Sequence, residues 1–360
     1  MKRVSLALTA AILATVASSC GTEETPEARG AAVTQATTFL DRYVDPDGRV
    51  VRRDQGGDTV SEGQAYALLL ATAAGDHARV TAVWRWTADN LRRDDGLLSW
   101  RWADGRLQDT NSATDADLDA ARALVFAGDR FDDADLAAEG AALAGAVLDH
   151  ATVSIGDDRI LVAGNWARTP PYVVNPSYLS PVATEQLRVA TGDPRWAEVG
   201  RTGRDHIADL LRDKALPPDW ARVDTEGRIT SAATAGGVRP AEATEPQFGL
   251  DAARVLPRFA ESCAAEDRAL AAETASVLAE PAEEIRAVHD LDGGSRVDWR
   301  HPLGLVAAAA AAEAADQPER ATNLLDEATR LDRENPTYYG AAWAALGPIL
   351  LRTDLLNTCP

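Results

Sequence analysis

Four stretches of this 360-residue chain are apolar or small on nearly every side over a helical length: "AYALLLATAAG", "LDAARALVFAG", "LGLVAAAAAAEAA" and "YYGAAWAALGPILL". A helix without a polar face must be covered all round, so these four belong inside whatever the chain builds. Segments with one charged face, such as "RVTAVWRWTADNLRR" and "ERATNLLDEATRL", alternate with them and suit the outside of the same core. Apolar periodicity, broken by Gly, Pro, Asp and Asn clusters, predicts twelve helices near 28–44, 61–75, 77–92, 114–128, 133–150, 177–192, 194–213, 242–261, 265–285, 302–316, 317–331 and 338–353. Strand signals are sparse. The expected fold is all-α, an (α/α)6 barrel of six inner and six outer helices; an open helical solenoid is the alternative, but the segments lack a fixed repeat length.

The first residues, Met1-Lys2-Arg3 followed by "VSLALTAAILATVA" and "SSCG", have the charged, apolar and small-residue order of a secretory signal. Because Cys20 follows Ala17-Ser18-Ser19, the segment resembles a bacterial lipobox, with cleavage after residue 19 and lipid on the Cys20 thiol. The expected organisation is a signal over 1–19, a polar tether over 20–30 and a single domain over 31–360, exported and held to a membrane by lipid alone or secreted. No later run reaches the roughly 20 apolar residues of a membrane span. With lipid on Cys20, Cys263 and Cys359 remain as a possible disulfide pair. A formal charge of -20 argues against a nucleic-acid partner, since a polyanion is repelled.

Long loops precede inner helices, and long loops in a compact domain are usually functional. Trp100, Trp102, Trp166 and Trp220 lie in them, and Trp299 lies in a comparable stretch before the tenth helix. Indole faces stack on the apolar faces of sugar rings, although the same residues also serve to pin loops. Glu62, Asp115 and Asp251 would open three inner helices beside these loops. Ser61 with Gln64 and Thr114 with Asp117 have capping-box spacing, so helix starting is one reading of these carboxylates. Their convergence at one end of an apolar barrel is what capping leaves unexplained and what acid–base work needs, with one carboxyl kept protonated and another ionised; capping and structural ion pairing stay open beside it. Arg254, three residues after Asp251, shares its helical face.

Metal chemistry has little support. "DADLD" places Asp115, Asp117 and Asp119 at alternate positions, but Ala120 stands where a calcium loop needs glycine and Phe126 where it needs Glu. The five histidines, His77, His150, His206, His289 and His301, show no zinc spacing, and there is no phosphate loop, GxSxG elbow or CxxC. No cofactor is expected.

The motifs together resemble glycoside hydrolase family eight, inverting hydrolases of β-1,4-linked glycans on an (α/α)6 barrel. "VSEGQAYALLLA" is similar to the general-acid segment and "NSATDADLDAARALVFAG" to the family signature; "NPSYLSP" and "LPPDW" follow in order, and "FGLDAARVLPRFA" resembles the segment of the general base. The resemblance implies Glu62 as general acid, Asp251 as general base and Asp115 as the residue holding the sugar at the scissile position, with Asp117 as a fallback. It also implies Tyr178 beside the attacking water, Arg254 beside Asp251, and Trp100, Trp102 and Trp220 as stacking platforms. Leu250 stands where the family usually has Tyr, and Ala67-Leu68 where the acid motif continues with Gly and Met.

The expected activity is endo-hydrolysis of a cellulose-like β-1,4-glucan polysaccharide or oligosaccharide by a monomer. "SEGQ" and "NPSYL" are closest to members associated with bacterial cellulose secretion. Xylan or chitosan hydrolysis by the same machinery is an alternative. A non-catalytic glycan-binding lipoprotein and a helical protein scaffold belong to other classes, separated from an enzyme by turnover.

Overall fold

A computed structural model of the chain describes residues 26–235 and 244–357; the expected signal over 1–19, Cys20 and Cys359 lie outside the described residues. Twelve α-helices are present among the described residues: α1 Pro26–Tyr43, α2 Ser61–Ala74, α3 His77–Leu91, α4 Thr114–Phe131, α5 Ala134–His150, α6 Pro181–Thr191, α7 Arg195–Asp213, α8 Val255–Ala260, α9 Ala265–Glu273, α10 Pro302–Ala314, α11 Pro318–Glu334 and α12 Tyr338–Arg352. Helix α1 begins at Pro26, inside the segment read as tether.

The even-numbered helices form the inner ring, each packing on the next and α12 closing on α2; α1, α3, α5, α7, α9 and α11 lie outside them. This is the expected (α/α)6 barrel. Burial follows the sequence pattern: α10 is buried at every residue from Pro302 to Ala312, whereas α11 buries only a stripe that includes Ala321, Leu324, Leu325 and Ala328. Cys263, at the α8–α9 turn, is held in a disulfide whose partner lies outside the described residues.

Two expectations are corrected. The eighth helix, expected over 242–261, is confined to a 3-10 turn at Ala252–Arg254 and the short α8, with residues 236–243 outside the described set. Extended pairing replaces helix upstream, for Phe248 and His289 exchange backbone hydrogen bonds of 2.9 Å in both directions. The ninth, expected to reach 285, ends at Glu273; Pro281 disfavours helical geometry at the residue before it and supplies no amide donor.

The loops are also less irregular than their composition suggests. They hold three small antiparallel sheets: β1 (Thr59–Val60), β2 (Arg101–Ala103) and β3 (Arg106–Asp109); β4 (Thr152–Ile155) with β5 (Asp158–Leu161); and β6 (Tyr172–Val174), β7 (Trp220–Val223) and β8 (Ile229–Ala232). These strands of two to four residues are too short to show a period of two in sequence, and pairing alone makes them strands.

With six residues, α8 is too short to be stable by itself. Three buried ion pairs join it and the preceding turn to α4: Asp115–Arg254 at 2.7 Å, Asp119–Arg258 at 2.5 Å and Arg122–Glu261 at 2.9 Å. Positions i, i+4 and i+7 on one element meet i, i+4 and i+7 on the other, so the pairs stack as rungs on facing helix surfaces.

Candidate active site

Glu62 occupies the first turn of α2. The capping-box expectation fails at this helix: no side chain caps its N-terminus, and Gln64 instead accepts from Val50 N at 2.6 Å and donates to Thr87 Oγ1 at 2.8 Å. It fails at α4 as well, where Thr114 Oγ1 donates to Val162 O and Asp117 Oδ1 accepts from Leu98 N. Capping therefore does not account for Glu62 or for its neighbours.

Arg254 accounts for them. Its Nη1 donates to Glu62 Oε1 at 2.8 Å and to Asp115 Oδ2 at 2.7 Å, and its Nη2 donates to Asp251 Oδ1 at 2.8 Å. One guanidinium thus gathers the three carboxylates proposed from sequence, from α2, α4 and the turn before α8. Arg254 is 1% exposed, whereas the side chains of Glu62 and Asp251 are 22% and 36% exposed, so the carboxyls reach the cleft and the cation stays behind them. Asp115 is more enclosed, with Oδ1 accepting from its own neighbour Ala116 N at 2.9 Å.

Three carboxylates on one cation leave an excess of negative charge in a desolvated place. Burial pushes Glu62 up to about 7, with Arg254 opposing and Asp115 and Asp251 adding to the rise. Burial likewise pushes Asp251 up to about 6, against Arg254 and with help from Asp219 and Asp115. Both bonds on Glu62, from Tyr66 Oη at 3.1 Å and from Arg254, fall on Oε1, which leaves Oε2 to carry a proton.

Tyr178 ends the 3-10 turn Pro176–Tyr178, and Arg254 Cζ lies 5.5 Å from its ring centroid. Asn175 opens that turn; its Oδ1 accepts from Ser177 N and Oγ, which fixes the amide orientation. The opposite Nδ2 is buried without a partner in hydrogen-bond geometry, and Asn175 lies against Asp251 closely enough to favour its ionised form.

The tryptophans divide. Trp220 meets Tyr178 edge-on at 6.4 Å, beside the carboxylates. Trp100 is partly exposed and its carbonyl accepts from Ser61 N at 3.0 Å, one residue from Glu62. Trp102 is engaged by Arg49 at 4.4 Å and by Trp86 at 5.4 Å, contacts that pin its loop to the segment after α1 and to α3. Trp166 and Trp299 are the most exposed, at 41% and 45%. From Trp299 a run of rings leads through His301 and Tyr339 to Tyr66 and so to Glu62.

The Asp residues of "DADLD" point to three different partners, Arg254, Leu98 N and Arg258, so they form no common ligand set. Burial raises Asp117 well above the usual carboxylate range, and its Oδ2 has no partner. A cavity of about 810 Å³ between α6, α7 and the α8–α9 turn, bordered by Phe126, Trp196 and Cys263, holds none of the clustered carboxylates.

Sequence reading missed Asp219 and Tyr339. Asp219 was visible only as part of "LPPDW", and Tyr339 only as an apolar position of α12. Tyr339 Oη donates to Leu250 O at 3.4 Å, so a tyrosine from α12 touches the residue before Asp251.

A cation-held cluster of carboxyls, at least one of them protonated near neutrality, is equipped to break a bond that needs acid and base together. In a helical barrel with an aromatic-lined mouth, the class so defined is a glycoside hydrolase. The comparisons agree. The profile described as "Glycosyl hydrolases family 8" matches residues 9–239, a span that holds Glu62, Asp115 and Tyr178 and ends before Asp251. A probable endoglucanase of Novacetimonas hansenii is 34% identical over 340 residues, covering 92% of this chain and 94% of its own. The solved endo-beta-1,4-glucanase CMCax of Acetobacter xylinum is 30% identical, with a TM-score of 0.74 over 89% of this chain and 98% of that one. A beta-1,3-1,4-glucanase of Paenibacillus sp. X4, at 17% identity and a TM-score of 0.81 over 92% of this chain and 93% of its own, shares the fold. The chain belongs to glycosyl hydrolases family 8 and is a glycoside hydrolase.

Proposed function

We propose that the protein hydrolyses internal β-1,4 bonds of a glucan with inversion at the anomeric carbon. The observation that carries this reading is the sharing of Arg254 by Glu62, Asp115 and Asp251, with Glu62 raised to about 7 by burial. Glu62 gives its proton to the leaving glycosidic oxygen as the C–O bond breaks. Water attacks the opposite face of the sugar, and Asp251 takes its proton. Both carboxyls then return to their starting states by exchange with solvent. Arg254 holds Glu62 Oε1 and so stabilises the carboxylate left behind after the proton has gone.

Two bonds of 2.8 Å reach Glu62 and Asp251 from guanidinium nitrogens roughly 2.3 Å apart, which caps the gap between the bonded oxygens at about 8 Å. An inverting site needs roughly 6.5–9.5 Å to admit a water, so this reading requires the two carboxyls to stand in the upper part of the range that the cap allows. Asp115 holds the sugar at the scissile position through lone pairs that Ala116 N and Arg254 leave free, and Tyr178 stands by the water. Trp220, edge-on to Tyr178, offers a stacking face beside the carboxylates, and Trp100 a second from the loop that pairs with Ser61. Export and lipid attachment at Cys20 complete the proposal, resting on the lipobox; Cys20→Ser should release the protein from membranes into the medium.

The test is release of reducing ends from carboxymethyl-cellulose, mixed-linkage β-glucan, xylan and chitosan by the mature chain and by Glu62→Gln. Glucan cleavage that falls about 10³-fold in a folded Glu62→Gln protein supports the assignment. Unchanged turnover in that variant overturns Glu62 as acid, cleavage of xylan alone overturns the glucan, and a newly released β-anomer by NMR overturns inversion.

A further inference from the structure

The turn that carries Asp251 is braced from outside the barrel. Asp219, the residue before β7, donates its backbone N to Gln247 O at 2.8 Å, which lays the segment before Asp251 alongside the third sheet. Its carboxylate sits inside the turn. Oδ1 accepts from Gly249 N at 3.0 Å and from Ala252 N at 2.8 Å, while Oδ2 accepts from Gln247 Nε2 at 3.1 Å. Asp251 is thus carried between two amides clamped by one oxygen. Gly249 is part of the device, because a Cβ there would stand 2.4 Å from Asp219 Oδ2. Burial pushes the proton affinity of this 8%-exposed carboxyl above the ordinary carboxylate value, and the three donors around it oppose that rise by favouring the anion.

We propose that Asp219 is a positioning residue of the hydrolysis, fixing the Gly249–Ala252 turn so that the Asp251 carboxyl meets both Arg254 and the cleft. The proposal rests on the reading of Asp251 as general base. It goes beyond bracing, since a second negative charge is placed behind the first. Arg254 favours ionisation of Asp251, as does the amide of Asn175; Asp219 and Asp115 oppose it, and Glu62, Tyr178 and Tyr339 face the same pocket. Asp219 therefore keeps the base more basic than it would otherwise be.

The test compares kcat and KM on a soluble cellulose derivative, from about pH 4.5 to 9, for the unmodified chain, Asp219→Asn, Asp219→Ala and Asp251→Asn. Asp219→Asn retains an acceptor for both turn amides, and the Gln247 amide turns over to meet the new donor; kcat stays within about tenfold and the acid limb of kcat/KM moves to lower pH. Asp219→Ala releases the turn, and kcat falls about 10²-fold with KM nearly unchanged. An acid limb that stays in place in Asp219→Asn overturns the proposal, as does full kcat in Asp219→Ala. If Asp219→Ala does not fold, the limb in Asp219→Asn decides alone. Activity persisting in Asp251→Asn strikes at the base assignment, a failure separate from any result at Asp219.

Discussion

The rungs between α4 and α8 are built from the same residue types at the same spacing, yet the first differs from the other two. Arg258 meets Asp119, and Arg122 meets Glu261, one cation to one carboxylate with all four buried. Arg254 meets Asp115 in the same register but also takes Glu62 and Asp251. Balanced charge fixes a helix; an excess of carboxylates on one cation in a buried place raises the proton affinity of Glu62 to about 7 and of Asp251 to about 6. The proposed active site is the ladder's unbalanced rung, placed where the carboxyls of Glu62 and Asp251 reach the cleft.

The comparison is broken most severely by removing each cation in turn. Arg254→Met leaves three carboxyls without a counter-charge, and kcat/KM should fall about 10²–10³-fold, with residual activity peaking at higher pH because both Glu62 and Asp251 rise further. Arg258→Met leaves Asp119 buried and unpaired, which should remove about 3–5 kcal/mol of stability in urea unfolding while the folded enzyme keeps its kcat. Replacing both partners, as in Asp119→Leu with Arg258→Met, should recover most of that loss. If Arg258→Met lowers kcat as steeply as Arg254→Met at unchanged stability, the rungs are not distinct.

A smaller effect sharpens the same contrast. Glu62 holds its proton up to about 7 in the folded chain against an ordinary value of 4.5, so the stability it contributes is full below about 4.5 and is lost as pH rises through 7. Glu62→Gln should therefore stabilise the protein by about 1 kcal/mol at pH 7.5, after allowance for partial exposure, and by nothing at pH 4.5. A gain of the same size at both values would show that ionisation of Glu62 costs the fold nothing.

Much of this architecture is legible in the chain. The apolar run of α10 and the one-sided α11 announce an inner and an outer helix, because periodicity is a local property. Glu62, Asp115 and Asp251 stand out because carboxylates are rare at the mouth of such apolar elements. The ladder was not legible, although "DADLDAAR" and "RVLPRFAE" carry matching spacings, since nothing local says that they face one another. Asp219 was passed over for a similar reason: two of its three partners are backbone amides, which leave no mark on the sequence. Those amides exist only where the extended pairing of Phe248 has displaced the expected helix.

By itself the sequence determined which helices are covered on all sides, hence a two-layered helical barrel, and which carboxyls lie at its mouth. Only the tertiary structure decided that three of those carboxyls share Arg254, that Asp219 stands behind Asp251, and that no side-chain cap is made at α2. Hydrophobic burial is encoded residue by residue and survives uncertainty about partners. Proton affinity is set by charges a few ångströms away, wherever along the chain they come from.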